Sequence, residues 1–572
     1  MPGRPSLRRP TSLLDFFILA AVVVVLYLVL RIGHGTTASI NSRDLQRVST
    51  DPARLPYDAV RSLIRMFIAL IFSVAFTLAY GYAAARSRRA EKVLIPILDI
   101  LQSVPVLGFL TITVTIFVGL FPHSEMGLEC ASIFAIFTAQ AWNMTFAFYA
   151  SLKSLPKELD ELSRSLRLSR WQRFWKIEVP NAAIGQVWNG MMSFGGSWFF
   201  LVASEMITLR GRNYSLPGIG SFAGAAIDKG QIGHVLIAIG VMIVMVVAVN
   251  FFFWRPLVAY SERYRFETSA AAEAPRSILL DLLNRSRWPR AVGRVRVRLA
   301  EPLARTMLIL GRDGTPLPVD RRREQAGDVI FWIAVMALIA FGAYEALHYI
   351  AVTPHAGLRQ IPKCLLLGLA TFARVTVLVA LSTLIWVPVG VWIGMNPRVS
   401  RIAQPIVQVF ASFPANFLFP FAIALFLFLH LSLNVGSMFL MALGAQWYIL
   451  FNVIAGASAI PTDLREAMDV LNVRGWQRWK RLIMPGILTS YVTGGITAAG
   501  GAWNASIVAE FVLYDHHRYH AYGLGNYIVN ASNTDNKACL ICGIVVMSVY
   551  VVGANRFFWR RLYRLAESRY SL

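Results

Sequence analysis

The residues with the clearest potential for chemistry are two carboxylic acids, Glu205 and Glu510, which lie in strongly apolar stretches. A carboxylate at membrane depth costs about 3 kcal/mol to insert unless it faces protein or water. Each glutamate is therefore expected to face the protein interior. It could line a translocation path, or it could accept hydrogen bonds that hold helix ends together.

Neutral polar side chains form a second candidate set, also inside apolar segments. The first group is Gln140, Trp142 and Asn143, and the corresponding group is Gln446, Trp447 and Asn452. Such groups could bind a small polar solute, or they could bridge helices through contacts worth about 1 kcal/mol each. Both interpretations remain open. These six residues, together with Glu205 and Glu510, are the candidates for the translocation path.

Two prolines interrupt long apolar runs at corresponding positions. Pro105 and Pro414 each end a Ser-x-Pro triplet. A broken helix leaves backbone groups that need partners from protein or from a water-filled cavity. The prolines therefore predict either a path close by or a simple turn between short helices.

No pattern in the chain indicates catalysis. The sequence contains no GxxxxGK[ST] and no Gly-Lys pair, so it cannot cradle nucleotide phosphates as a P-loop does. Adjacent His516 and His517, with His520, are more typical of a solvated lip than of a metal site. We therefore expect a chain that is not an enzyme, with no catalytic residues, no metal and no cofactor of its own.

The elements that position these residues must be membrane helices. The chain is 56% hydrophobic, with a mean hydropathy of +0.54, which places it among membrane proteins. Twelve apolar runs are long enough to cross about 30 Å of hydrocarbon. They are 13–30, 60–85, 94–121, 128–152, 182–207, 234–254, 329–347, 365–395, 402–431, 435–457, 487–512 and 538–558.

The chain repeats itself. An offset of 305 residues carries Trp142 to Trp447 and Glu205 to Glu510, and the same offset carries many other tryptophans, prolines and glycines onto their own kind. Upstream, the offset is 309, as for Pro105 and Pro414. Because each copy holds six helices, the copies have the same orientation in the membrane. The predicted fold class is all-α, with about twelve helices in two parallel six-helix repeats.

The distribution of basic residues predicts the topology. The net charge is +24, and arginines cluster before the first helix, after the second, between the copies and in the tail. These positions share one side if the helices alternate, and the positive-inside rule makes that side the cytoplasm. Both termini are thus expected in the cytoplasm, and nucleic acid is not an expected partner. The predicted units are 1–57 (first helix and outer loop), 58–260 (first repeat unit), 261–327 (basic linker), 328–363 (first helix of the second half) and 364–572 (second repeat unit).

A polar segment between the fourth and fifth helices occurs in both copies, at 155–180 and 460–485. Leu159, Leu162 and Leu166 recur at three and four residues, which predicts a short amphipathic helix with one apolar stripe. Proline followed by acidic residues favours a helix start in each copy. One face of each helix is therefore expected to contact a partner.

These segments resemble the cytoplasmic loop of binding-protein-dependent ABC importer permeases, which reads EAA, three residues, Gly, nine residues and I-x-L-P. The segments 161–180 and 466–485 fit that length. SRWQRF at 169–174, Trp198 before Ala203-Ser204-Glu205, and Gly523-Leu524-Gly525 make the chain most similar to the nitrate, sulfonate, taurine and bicarbonate branch. The resemblance covers nearly all of both halves and implies two permease units fused in one chain.

That resemblance implies a type I importer permease in a bacterial inner membrane. It implies two separate ABC ATPase subunits that bind ATP, and a solute-binding protein outside the cell. The solute implied is a small anion such as nitrate, a sulfonate or bicarbonate. The residues implied to couple to the ATPases are Glu161, Arg167, Leu168, Trp171, Glu466, Asn472, Val473 and Trp476.

The chain departs from the family pattern at the loop glycine, where it has Arg167 and Asn472. Asn tolerates a left-handed turn and Arg does so poorly, so the two loops are expected to dock differently. A second hypothesis is a transporter driven by an ion gradient, with Glu205 or Glu510 carrying protons. A third is a basic scaffold that binds nucleic acid through the linker.

Overall fold

The computed structural model describes residues 48–264 and 360–570, except 104, 105, 123, 167, 210, 211, 515, 516 and 535. It also describes 280, 281 and scattered helical residues within 333–348. The expected helix at 13–30 and nearly all of the linker 261–327 lie outside the described residues.

Helices account for most of the first half. They are α1 (Leu55–Arg86), α2 (Arg88–Ser103), α3 (Val106–Leu120), α4 (Met126–Lys153), α5 (Lys157–Ser165), α6 (Arg170–Arg173), α7 (Val179–Glu205), α8 (Ile219–Asp228), α9 (Ile232–Val249) and α10 (Arg255–Ser261). The second half repeats this order. It contains α11 (Ile361–Met395), α12 (Pro397–Ser412), α13 (Phe419–Phe428), α14 (Leu433–Ala459), α15 (Thr462–Val470), α16 (Gly475–Arg478), α17 (Met484–Ala509), α18 (Leu524–Asn533), α19 (Lys537–Ala554) and α20 (Arg560–Tyr570).

Six helical stretches in the described ranges are long and apolar enough to cross a membrane. A seventh counts if the pair Ile402–Ser412 and Ala415–Phe428, bent by 78° near Pro414, forms one span. Helices α4 and α7 have 28 and 27 residues and are the repeat counterparts of spans in the second half. The prediction of an all-α membrane protein with about twelve helices agrees with this architecture.

The apolar run at 94–121 is divided, in agreement with the prediction that Pro105 interrupts it: helix α2 ends at Ser103 and α3 begins at Val106. The expected run at 402–431 likewise divides, at α12, a 3₁₀ turn (Ala415–Leu418) and α13. Proline removes a backbone donor and disfavours helix at the residue before it, which explains the break next to Pro414.

Each half also contains a short antiparallel hairpin that the helical pattern did not predict. Strand β1 (Met206–Leu209) pairs with β2 (Arg212–Ser215), with Met206 opposite Ser215. Strand β3 (Phe511–Tyr514) pairs with β4 (His517–His520), with Phe511 opposite His520. The apolar runs expected to continue to 207 and 512 therefore leave the helix near Glu205 and Glu510.

π-helical turns recur at the repeat offset. They are Phe174–Glu178 and Asn250–Trp254 in the first half, and Trp479–Ile483 and Asn555–Trp559 in the second. Two of them lie just before Pro180 or Pro485, the second residue of the helix that follows. A wider turn is one way for a helix to continue past a residue that has no backbone donor.

Each half has its own apolar core, and the halves also exchange elements. In the first half α4 packs between α1 and α7, and in the second α14 packs between α11 and α17. Leu107 belongs to the core of the second half and Phe417 to the core of the first. Helices α2 and α3 contact α19 and α17, while α12 contacts α7 and α9. The two halves are therefore related by an approximate two-fold arrangement around a central space.

Candidate functional site

The first predicted carboxylate, Glu205, lies at the end of α7 and is fully buried. Its Oε1 accepts hydrogen bonds from Ser62 Oγ at 2.5 Å and from Arg65 Nη1 at 2.8 Å, and its Oε2 accepts one from the Gly220 amide at 2.6 Å. Helix α1, the end of α7 and the start of α8 thus share one carboxylate. A Cβ on Gly218 would overlap this carboxylate, which is why a glycine stands there.

The second carboxylate, Glu510, makes the matching set of bonds. It accepts from Thr371 Oγ1, Arg374 Nη1 and the Gly525 amide, each at 2.8 Å. A Cβ on Gly523 would again overlap the carboxylate. Each glutamate therefore joins three elements within its own half, and the contacts of both match the alternative in which they hold helix ends.

We call the bonded group around each glutamate a clasp: Glu205 with Ser62, Arg65 and Gly220, and Glu510 with Thr371, Arg374 and Gly525. The two clasps differ in the residues that surround them. In the first half Arg65 also bonds Glu129, through Nε at 2.6 Å and Nη2 at 2.6 Å, and Arg61 pairs with Glu125 and Glu129. In the second half Asn434 stands at the repeat position of Glu129. Its Oδ1 accepts from Arg374 Nη2 at 3.1 Å. The first half therefore contains a larger buried charge network.

A cavity of about 150 Å³ lies between the halves, and both contribute to its wall. Among the described residues, no charged side chain lines it. Its polar lining consists of amides, hydroxyls and three indoles. They are Gln102, Thr138, Trp142, Asn143, Asn189, Ser193, Tyr448, Asn452, Thr493, Thr497, Trp503, Asn504, Asn555 and Trp559.

Hydrogen bonds within one helix and between helices orient several of the cavity amides. Asn143 donates to Asn189 Oδ1 at 3.1 Å, and Asn452 donates to the Tyr448 carbonyl at 2.8 Å. Asn504 Oδ1 accepts from the Val106 amide at 2.7 Å, a bond that crosses between the halves. Trp142 Nε1 is buried and has no hydrogen-bond partner among the described atoms. The cavity can therefore offer neutral donors and acceptors to a small solute.

Helices α5 and α15 lie at one end of the molecule and carry exposed apolar side chains. Leu162 is 47% exposed and Leu464 is 36% exposed. Beyond the helix ends, Leu166 and Leu471 are also exposed, as is Trp476. Glu161 and Glu466 are exposed too. Both segments thus present an apolar strip that the described part of the chain leaves uncovered.

The two helices end with the same backbone bond. The Leu168 amide donates to the Ser163 carbonyl at 3.1 Å, and the Val473 amide donates to the Met468 carbonyl at 2.9 Å. Such a bond closes a helix by a left-handed turn. Asn472 has a φ of 53°, as expected of Asn at the position of the loop glycine. Arg167 lies outside the described residues.

The two halves differ in the hydrogen bonds and ring contacts around these helices. Ser169 caps α6, with Gln172 completing a capping box, and Trp171 packs on Phe174 and Trp175. In the second half, Arg465 Nη2 donates to the Ala457 carbonyl at 2.6 Å and thereby caps the end of α14. Burial, and then the charge of nearby Arg478, lowers the pKa of Arg465.

A family model described as binding-protein-dependent transport system inner membrane component matches two segments of the chain. They are residues 58–258 and 386–570, which together make up more than half of the sequence. The chain belongs to this family. The two matches also show that this permease contains two family units in one chain.

Curated relatives of the permease come from the branch that the loop sequences indicated. The permease is 28% identical over 179 residues to the nitrate import permease protein NrtB of Leptolyngbya laminosa (31% of this chain, 59% of the relative). It is 31% identical over 180 residues to the taurine transport system permease protein TauC of Escherichia coli K12 (31% and 62%). It is 23% identical over 189 residues to the bicarbonate transport system permease protein CmpB of Synechococcus elongatus (33% and 65%).

Each match covers about a third of the permease and about three fifths of the relative. A match of that size corresponds to one of its two units.

Of the residues predicted for the path, the structure places Trp142, Asn143 and Asn452 on the cavity wall. The other five lie elsewhere. Gln446 Oε1 accepts from Trp386 Nε1 at 2.9 Å, and Trp447 stacks on Phe410. Gln140 is fully buried beside Ser73, and Glu205 and Glu510 lie in the two clasps.

Sequence reasoning missed a polar stripe on α17 that faces the cavity. Thr493, Thr497, Gly500 and Asn504 recur at three and four residues, so they share one face of an apolar helix. The spacing of polar residues at helical intervals within this apolar span could have identified them. The comparison of equivalent positions in the two copies could not.

The segment that contains α5 is held by a buried carboxylate that the corresponding α15 segment lacks. Glu178 is 1% exposed; it accepts from Arg173 Nε at 2.8 Å and pairs with Arg86. Arg173 also donates to Ser163 Oγ on α5, at 3.4 Å. The repeat position of Glu178 holds Ile483, so this tether exists in the first half alone.

We predict that Glu178→Ile loosens α5. The change removes the carboxylate that Arg86 and Arg173 share, and hydrogen bonds to charged groups are worth about 1.5–3 kcal/mol. Amide hydrogen exchange across α5 is therefore expected to accelerate about tenfold or more, while exchange across α15 stays the same. The exposed Lys176, changed to Ile, is the matched control. Unchanged exchange in α5 of the Glu178 variant would contradict the tether.

Proposed function

We propose that this permease forms the translocation path of an ATP-driven ABC importer for a small anion such as nitrate, bicarbonate or a sulfonate such as taurine. ATP hydrolysis takes place on two separate ATPase subunits, and an extracytoplasmic protein delivers the solute. The observation that carries the proposal is the pair of exposed apolar strips on α5 and α15, at repeat-related positions on one end of the molecule.

The strips act as coupling helices. Exposed apolar side chains that group together on a protein surface mark a contact with a partner. Because the strips are duplicated, they fit two copies of similar ATPase chains. The ends of the strips, at Leu168 and Val473, have equivalent backbone bonds, so both present their apolar residues in a similar way.

The ATPases must be separate chains, since this sequence has no P-loop. Movement of α5 and α15 would be transmitted through the helices that follow, α7 and α17. These two helices line the central cavity, through Asn189 and Ser193 in one and Thr493 to Asn504 in the other. The work of this chain is thus mechanical rather than chemical.

The solute enters at the opposite end, near the two hairpins. A cavity of about 540 Å³ lies there between the halves, lined by Asn416, Asn533 and the exposed Arg518, among others. Arg518 is its one charged residue in the described part of the chain and would attract an anion released by the receptor. The neutral inner cavity would then pass the anion without holding it tightly.

The permease is a multi-pass protein of the bacterial inner membrane, with α5, α15 and both termini in the cytoplasm. The basic residues that follow α1 and those in α20 support this orientation. Helix α20 packs on α17, whose first residues follow the α15 segment, so its arginines belong to the same side.

A transporter driven by an ion gradient is not favoured. That mechanism would need a carboxylate that titrates while it faces the path. Glu205 and Glu510 each hold three elements together through an arginine, a hydroxyl and a backbone amide. Neither contributes to the wall of the central cavity.

Copurification tests the coupling role. Full-length permease is expressed with its ATPase chain, and residues 161–168, residues 466–473 or both are replaced by Gly-Ser segments of equal length. The double replacement is expected to lose the ATPase while the permease remains folded in the membrane fraction. Each single replacement is expected to keep one ATPase copy at reduced yield. Normal recovery of the ATPase with the double replacement would contradict the proposal.

A further inference from the structure

The inner end of the last membrane helix contains a basic pocket that plays no part in the translocation path. A cavity of about 530 Å³ is lined by Arg556, Arg560, Tyr563 and Arg564. The three arginines follow one another at intervals of four residues, so they share one face of the helix. Among the described side chains, no carboxylate belongs to the lining.

The position of the pocket along the helix matches the lipid headgroups. The stretch from Lys537 to Ala566 is one continuous apolar span with a basic end. At about 1.5 Å per residue, Arg556 lies about 28 Å and Arg564 about 40 Å from Lys537. The hydrocarbon core is about 30 Å thick, and the headgroup layers extend the bilayer to about 40–45 Å. The arginines therefore span the depth of the headgroups on that side.

The neighbouring surface is apolar and exposed. Phe557 is 67% exposed and Phe558 is 58% exposed, directly beside Arg556. Within the described ranges, neither Arg556 nor Arg564 forms an ion pair, and Arg560 reaches Asp99 only at 3.8 Å. The pocket thus combines three guanidinium groups, of which Arg560 alone has an ion-pair partner among the described residues, with an apolar border. This pattern suits a phosphate group attached to acyl chains.

The first half lacks three of the four residues that form this pocket. The repeat positions of Arg556, Tyr563 and Arg564 hold Phe251, Val258 and Ala259. The basic pocket is therefore a property of the second half rather than of the family fold common to both halves. The first half also supplies the residues with which the pocket can be removed without disturbing the helix.

We propose that the pocket formed by Arg556, Arg560, Tyr563 and Arg564 binds the phosphate of an anionic lipid headgroup. Planar guanidinium groups bind phosphate oxygens in pairs, which an ammonium group cannot do. A lipid held there would connect α20 with Asp99 on α2, because Arg560 lies between them. The site anchors the interface between the halves at one surface of the membrane.

The test uses full-length permease in detergent, titrated with short-chain phosphatidylglycerol, with binding read by native mass spectrometry. The Arg556→Phe, Arg564→Ala double variant is compared with Arg255→Ala, Arg561→Ala, which also removes two charges but leaves the pocket intact. Each basic residue near a membrane contributes about fivefold to the binding of anionic lipid, so the pocket variant is expected to bind about thirty-fold more weakly. The control is expected to bind as the parent does. Size-exclusion profiles establish that both variants are folded.

Three results of this titration would overturn the site. Equal binding by the parent and the pocket variant would show that the arginines hold no lipid. An equal loss in the control would reduce the effect to general charge attraction. Full competition by inorganic phosphate would assign the pocket to free phosphate rather than to a lipid headgroup. Binding that survives inorganic phosphate and is lost in the pocket variant alone supports the lipid.

Discussion

Arg65→Met is expected to lower the free energy of unfolding by about 3–5 kcal/mol, the typical cost of removing one partner from a buried ion pair. Arg65 is 2% exposed and bonds both Glu129 and Glu205. Methionine fills similar space without a donor, so two carboxylates lose a partner in an apolar surrounding. The measurement is the fraction of folded, monodisperse permease that survives a series of temperatures in detergent.

The matched change is Arg374→Met in the second half. Arg374 bonds one carboxylate, Glu510, and its side chain is more exposed, at 12%. Its loss is therefore expected to cost less than the loss of Arg65. Stability of the Arg65 variant equal to that of the parent would contradict this prediction. So would a lower stability of the Arg374 variant than of the Arg65 variant, because the larger charge network of the first half would then add no stability.

Transport is expected to fail when the apolar strips are made acidic. Leu162→Asp combined with Leu464→Asp removes two leucines, each worth about 1.5–3 kcal/mol when buried, and places two charges in the proposed ATPase contact. Each loss corresponds to about tenfold or more in affinity. ATP-driven uptake by the reconstituted complex is therefore expected to fall at least about a hundredfold. The fold is expected to survive, because both side chains are exposed.

Thr462→Asp is the control for this prediction. Thr462 is exposed and lies on the opposite side of α15 from Leu464, two residues away. It adds a charge to the same helix outside the strip, so uptake should stay near the parent value. Normal uptake by the double leucine variant, or equal damage by the control, would argue against the strip as the contact.

Much of the architecture follows from the sequence because the chain contains two copies of one pattern. A constant offset relates Glu205 to Glu510 and the polar segment 155–180 to the segment 460–485, and apolar runs locate the helices. The prolines marked the places where long runs divide. These features depend on local spacing and composition, which a single sequence records directly.

The partners of the buried charges could not be predicted in the same way. Arg65 and Glu205 are 140 residues apart, and only the packing of α1 against α7 brings them together. Polar residues along α17 escaped notice because they match no equivalent set in the first half. The hairpins were missed because each strand has four residues, too few for a clear alternation of apolar and polar side chains.

Uptake into proteoliposomes tests the central claim most directly. Full-length permease, its ATPase chains and its solute receptor are reconstituted together, and accumulation of labelled nitrate, bicarbonate and taurine is measured with ATP or with an imposed proton or sodium gradient. One of these solutes is expected to accumulate with ATP and none with a gradient alone. Accumulation driven by an ion gradient in the absence of ATP would contradict a permease that works through separate ATPases.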